Sequence, residues 1–178
     1  ELIVKRVSES ADTEAVRGAA ASAKADAVIV QLPLPQGVDV RAACDAIPVG
    51  KDADVLSSAA RSAFMRGDEQ ALLPPVVGAL AEILARSKVE VSGKHAVVVG
   101  SGYLVGMPVT AWLAQQGAEV ANINQKSGDL AAARAEADSV GAGTGSPHLI
   151  KPDMLKKGVV LIDAGTSESG GVTVGDAD

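Results

Sequence analysis

The residues best suited to chemistry lie in Lys94-His95-Ala96-Val97-Val98-Val99-Gly100-Ser101-Gly102-Tyr103-Leu104-Val105-Gly106-Met107-Pro108. A run of mostly β-branched residues, Ala96 to Val99, leads into glycines, and Val109, Trp112 and Leu113 follow at helical spacing. That pattern predicts a strand, a tight turn and an amphipathic helix. Pro108 falls in the first helical turn, where a missing N–H costs nothing. Without a Cβ at Gly100 and Gly102 the backbone can approach a ligand, and the start of a helix favours a phosphate. The segment from Gly100 to Gly106, with Ser101, Tyr103, Leu104 and Val105 between the glycines, is therefore a candidate pyrophosphate site for a nucleotide. Its G-x-G-x-x-x-G spacing is one residue longer than the dinucleotide fingerprint, so a glycine turn needed only for tight packing is the competing reading.

A second set of candidates sits earlier. Leu2 to Val7 reads as a strand, Thr13 to Lys24 as a helix capped by Asp12 or Thr13, and Ala27 to Gln31 as a strand. A helix between two apolar strands predicts a βαβ unit and a parallel sheet. The prolines of Gln31-Leu32-Pro33-Leu34-Pro35 take the chain out of the sheet as a stiff loop, which leaves Gln31 at the carboxyl edge, where open α/β sheets bind ligands. Asp39 can cap a short helix through Cys44. The loop Pro48-Val49-Gly50-Lys51-Asp52-Ala53-Asp54 has, on composition, the character of a solvated turn.

Gln31-Leu32-Pro33-Leu34-Pro35 followed by Lys51-Asp52-Ala53-Asp54 resembles the Q-L-P-L-P and K-D-V-D signatures of the bifunctional methylenetetrahydrofolate dehydrogenase/methenyltetrahydrofolate cyclohydrolase (FolD) family. Gly100 to Pro108 is similar to that family's G-x-S-x-x-V-G-x-P, and Ile162-Asp163-Ala164-Gly165 and Val174-Gly175-Asp176 resemble its I-D-V-G and V-G-D elements. The resemblance implies oxidation of 5,10-methylenetetrahydrofolate with a nicotinamide nucleotide and hydrolysis of the methenyl product to 10-formyltetrahydrofolate, in one-carbon metabolism and purine biosynthesis. It implies that Gln31 tunes a catalytic lysine and that Asp54 anchors the pterin, in a cleft between two domains. The lysine belongs to a Y-x-x-x-K helix upstream of Gln31, and residues 1–30 contain no tyrosine. The late P-V-P-G-G-V-G-P loop is not found either. Both ends of the usual chain are expected to lie outside this sequence, and this chain alone is expected to lack cyclohydrolase activity.

The same comparison shows departures. Ser101 stands where the family often has arginine and Gln125 where it has serine, two positions used to hold an adenosine 2′-phosphate. No acidic residue ends the second strand to bind a bare ribose hydroxyl, and Lys126 is a candidate partner for the phosphate. NADP is the expected cofactor, with NAD open. Val55 replaces the glycine of D-V-D-G. Thr144-Gly145-Ser146-Pro147 resembles a G-x-P loop that touches the cofactor, or is a plain turn. His95 and His148 have no metal-ligand spacing, and no metal is expected.

The expected fold class is α/β, with two parallel-sheet α/β domains, the second Rossmann-like, joined by a helix. Residues 1–70 are expected to form a partial folate domain, 71–92 the connecting helix after Pro74-Pro75, and 93–178 the NAD(P)-binding domain. The latter has strands Ala96 to Val99, Glu119 to Asn124, Ser139 to Ala142 and Val159 to Asp163. Gly117 and Gly158 are expected just past helix ends, and Ser169-Gly170-Gly171 turns a hairpin before Val172-Thr173-Val174. The resemblance implies a homodimer through that ribbon. A formal net charge of −6, with no basic run, argues against nucleic acid as partner. Cys44 has no second cysteine to bond with, suits a reducing cytoplasm, and reads as a small buried hydrophobe on a helix. No apolar run of about 18 residues predicts a membrane span. Two other readings stay open: a different NAD(P)-dependent dehydrogenase on this scaffold, and a catalytically inactive nucleotide-binding or dimerisation module.

Overall fold

The computed structural model describes residues 1–124 and 136–178. The chain divides into two compact units, Glu1–Pro75 and Val76–Asp178.

The first unit is built from short capped helices. In α1 (Thr13–Ala21) the Asp12 carboxylate accepts the Ala15 N–H, and in α2 (Val40–Asp45) Asp39 accepts the Ala42 N–H. Ser57 caps α3 (Ser58–Arg66) through the Ala60 N–H, and Gly67 ends it in the left-handed conformation, φ 74°. Each cap supplies a partner for a helix end that has none within the helix. Ala20, Val30, Cys44, Ile47 and Leu56 form the core of this unit. Cys44, 1% exposed on α2, is the buried hydrophobe expected.

The parallel sheet expected for residues 1–70 is not formed. Among the described residues of this unit the pairing is a single parallel bridge, Val28 to Asp52. Leu2, Ile3 and Val4 are 88%, 72% and 69% exposed and belong to no strand. An extended apolar segment becomes a strand only when a neighbour satisfies its backbone groups, and local composition does not supply that neighbour.

The second unit opens with α4 (Pro75–Arg86), which buries Val77, Leu80 and Leu84. Next come β1 (His95–Val99), α5 (Gly106–Gln115), β2 (Glu119–Ile123), β3 (Ser139–Ala142) and β4 (Val160–Asp163). The sheet is fully parallel in the order β2-β1-β3-β4, with Val99 aligned to Ile123 and to Ala142. Ala96 to Val99 are all buried, because both faces of β1 are covered. Val97, Val99, Ile123, Val140, Ala142 and Ile150 form one hydrophobic cluster, while Val98 is buried beside Val109 of α5. Pro108 lies in the first turn of α5, and Gly117, φ 82°, follows the end of that helix. An antiparallel hairpin, β5 (Ser167–Ser169) and β6 (Val172–Val174), turns at Gly170-Gly171, where φ is 59° and 78°. No helix among the described residues is long and apolar enough to cross a membrane.

The α4 glycine, Gly78, has open space around its Cβ position, whereas a Cβ on Gly106 would strike the Gly100 carbonyl. Gly78→Ala is expected to stabilise the protein by roughly 0.5–1 kcal/mol, and Gly106→Ala to destabilise it by about 2 kcal/mol or more. Urea denaturation of the two variants checks both signs.

Candidate functional site

The order β2-β1-β3-β4 reverses direction between β1 and β3, so the chain leaves these neighbouring strands on opposite courses. In open α/β sheets the carboxyl ends at such a switch point form the ligand crevice. Gly100 follows β1 there and Gly143 follows β3. Gly100 has φ 108°, and a Cβ on it would lie 2.9 Å from the Gly143 carbonyl oxygen and 3.2 Å from Cγ2 of Thr144. A Cβ on Gly143 would run into the side chain of Val105. Gly102 differs: a Cβ there would meet nothing nearer than the Gly143 oxygen at 3.9 Å. Packing thus accounts for Gly100 and Gly106, while Gly102 has an open side.

Tyr103 and Leu104, 47% and 53% exposed, form the tip of this turn. No side chain caps α5; its N-cap, Val105, offers no acceptor. In its first turn Pro108 has no N–H and the Met107 N–H donates to the Gly102 carbonyl at 3.0 Å, so what the helix start contributes is chiefly its partial positive charge. Ser101 is held by two amides: its Oγ donates to Oδ1 of Asn122 at 2.6 Å and accepts from Nδ2 of Asn124 at 3.2 Å.

Thr144 and Gly145 join the glycine turn through a clamp that sequence reasoning missed as a site element. Asp176 is fully buried, and its carboxylate accepts the Thr144 N–H at 2.5 Å, the Thr144 hydroxyl at 2.9 Å and the Ser146 N–H at 2.9 Å. Asp163 accepts the Gly165 N–H at 2.8 Å and the Ala177 N–H at 2.9 Å. Side chains at Gly165 or Gly175 would collide with Asp176 or Asp163, so these glycines exist to let the carboxylates in. The signal in the sequence was an aspartate beside a glycine at each place. Gln125 and Lys126 lie outside the described residues.

Within the first unit, the Val28–Asp52 bridge is made by the Val28 N–H to the Lys51 carbonyl at 2.7 Å and the Ala53 N–H to the Val28 carbonyl at 3.4 Å. Because the bridge is parallel, the chain runs on in one direction to Gln31 and to Asp54. Gln31 is exposed, with its Nε2 on the Leu32 carbonyl at 2.9 Å, ahead of a cis Leu32–Pro33 peptide. Asp52 is fully buried and accepts the N–H groups of Leu56 and Ser57, at 3.3 Å and 2.7 Å, which fixes the entry to α3. Asp54 is half-buried, and burial, followed by the Asp52 charge, raises its pKa above the ordinary aspartate value. Burial and the same charge also raise the Cys44 thiol. Asp52 is therefore scaffold, and Asp54 is the more accessible of the two carboxylates.

Val55, at the place of the family's glycine, is fully buried with φ 54°. A β-branched residue in that region costs on the order of 1–3 kcal/mol, a strain that its burial offsets. His95, the first residue of β1, is exposed with Nδ1 3.1 Å from Glu119, and His148 lies 3.2 Å from Asp178. Among the described residues no group of three or more His, Cys, Asp or Glu is placed to hold a metal ion.

A raised folded-state pKa means that the stability linked to Asp54 is complete below the unfolded value and is lost as pH rises through the folded one. Asp54→Asn is thus expected to raise Tm slightly at pH 7, on the order of 2 °C or less after solvent screening. The difference should vanish below pH 3.8, the ordinary aspartate value. Thermal melts across that pH range check it.

Residues 74–178 match the family model described as tetrahydrofolate dehydrogenase/cyclohydrolase, NAD(P)-binding domain. The chain is 34% identical to bifunctional protein FolD 2 of Desulfitobacterium hafniense over 85% of its own length and 53% of that protein's. It spans about half the length of the curated relatives it matches. The bifunctional FolD enzyme of Campylobacter jejuni superposes with a TM-score of 0.90 at 27% identity, covering 96% of this chain and 62% of that one. The Trypanosoma brucei FolD structure, complexed with NADP cofactor and inhibitor, has a TM-score of 0.86 at 31% identity, covering 95% and 62%. With a matched domain that takes in the whole glycine turn and both carboxylate clamps, the chain belongs to the tetrahydrofolate dehydrogenase/cyclohydrolase family.

Proposed function

We propose that the protein oxidises 5,10-methylenetetrahydrofolate to the methenyl form with NADP, and that hydrolysis of the methenyl product to 10-formyltetrahydrofolate is its second activity. The observation that carries this reading is the open backbone at Gly102, beside Gly143 and Thr144 at the switch point of an NAD(P)-binding family domain. The residues fit a dinucleotide: a Cβ-free approach at Gly102, an uncapped helix start, and hydroxyls at Ser101 and Thr144. When bound, the nicotinamide nucleotide supplies the hydride acceptor. The chain's own part is to hold the pyrophosphate against the backbone of the turn from Gly100 to Gly106 and to fix the loop at Thr144-Gly145 through Asp176. Gln31 and Asp54 take the pterin side, where the raised pKa of Asp54 favours hydrogen-bond exchange with a heterocyclic amide. The β5–β6 hairpin, with Val172 62% exposed, is the proposed homodimer surface. A cytoplasmic role in one-carbon metabolism and purine biosynthesis completes the proposal.

Isothermal titration with NADP and with NAD tests the nucleotide half, and the rise of methenyl product absorbance tests the oxidation. Absence of binding to both nucleotides would overturn the reading. Gly102→Val is expected to change unfolding free energy by less than about 0.5 kcal/mol while weakening NADP at least about tenfold, because the side chain occupies the approach. Lys126→Ala is expected to weaken NADP several-fold more than NAD, measured by the same titrations.

A further inference from the structure

The glycine turn is held by a side chain that lies outside it. Asn122, half-buried on β2, spends both protons of its amide on the two ends of the turn. One goes to the Gly100 carbonyl at 2.9 Å. The other goes to Oγ1 of Thr110 at 2.8 Å, and that hydroxyl donates to the Gly106 carbonyl at 2.7 Å. Its Oδ1 accepts the Ser101 hydroxyl at 2.6 Å. The amide orientation follows from this set, since the Gly100 carbonyl can only accept and therefore demands the nitrogen. Gly100 and Gly106 are also the two residues whose backbones touch. A single amide thus closes the turn at its first residue, at its last through one hydroxyl, and at Ser101 between them.

We propose that Asn122 is the positioning residue for dinucleotide binding: it pre-organises the turn from Gly100 to Gly106 so that its amides meet a pyrophosphate without first being ordered. The proposal rests on the nucleotide reading of this site. Without the amide, the turn gains conformations that must be lost again on binding, which appears as weaker affinity. Oδ1 also fixes Ser101, whose hydroxyl donates to it while accepting from Nδ2 of Asn124 at 3.2 Å.

The test is titration of wild type, Asn122→Ala, Asn122→Asp and Thr110→Val with NADP and with ADP-ribose, well below the Tm of each variant, with circular dichroism to confirm the fold. Asn122→Asp keeps the shape and removes both donors, so it serves if the alanine variant does not fold. Each Asn122 variant is expected to bind both ligands about tenfold more weakly. Thr110→Val is expected to cost about threefold in wild type and nothing further in the Asn122→Ala background, since the hydroxyl then has no amide to relay. A purely structural role would lower Tm and leave these affinities and their non-additivity unmoved, and that result would overturn the proposal. Wild-type protein that binds neither ligand would overturn the nucleotide reading and this inference together.

Discussion

The backbone of Gly106 rests against the carbonyl of Gly100 with no room for a side chain between them. This contact brings the start of α5 back onto the end of β1, and the rest of the nucleotide-binding half is organised from it. β1 is buried on both faces, so its position is fixed by the sheet. The helix that follows must then begin where the turn delivers it. Gly100 also touches Gly143 after β3, which ties the turn to the neighbouring strand across the switch point. A methyl group at Gly106 or Gly100 would separate these parts, whereas one at Gly102 would disturb only what approaches from outside.

Beyond the strands the ladder of backbone hydrogen bonds ends, and carboxylates take over, Asp52 and Asp176 buried and Asp163 exposed. Asp52, Asp163 and Asp176 each accept two or more hydrogen bonds from backbone N–H groups in loops that would otherwise have no regular partner. A carboxylate that accepts several N–H bonds is a strong local organiser, because charge-assisted bonds are shorter and stronger than neutral ones. The glycines beside Asp163 and Asp176 are the counterpart of that arrangement. In the first unit the same device separates two chemically identical residues: Asp52 is consumed by the scaffold, while the pKa of Asp54 is raised by its own burial and then by the Asp52 charge.

The loop past Asp54 carries backbone strain at one residue. Val55 holds a left-handed conformation that glycine would adopt without strain, and it is fully buried there. Its packing compensates for the backbone, so the loop retains its course past Asp54 with a side chain where the family has none.

Much of this molecule was determined by local pattern. The runs Ala96 to Val99 and Ser139 to Ala142, the caps at Asp12 and Asp39, the proline of α5 and the glycine hairpin act over a few residues, and all are where periodicity and turn chemistry put them. The strand–turn–helix around the glycines was legible for the same reason. Tertiary structure decided the rest. Whether Leu2 to Val7 pairs depends on a neighbouring strand, and the described part of the first unit has none for it. Which glycine is closed in by packing and which is left open depends on Gly143 and Thr144, distant in sequence. That Asp176 clamps Thr144 and that Asn122 closes the turn from another strand are contacts across 32 and 22 residues. A pattern in composition carries no record of such partners, because the free energy that selects them comes from burial and hydrogen bonding between segments that meet only in the folded chain.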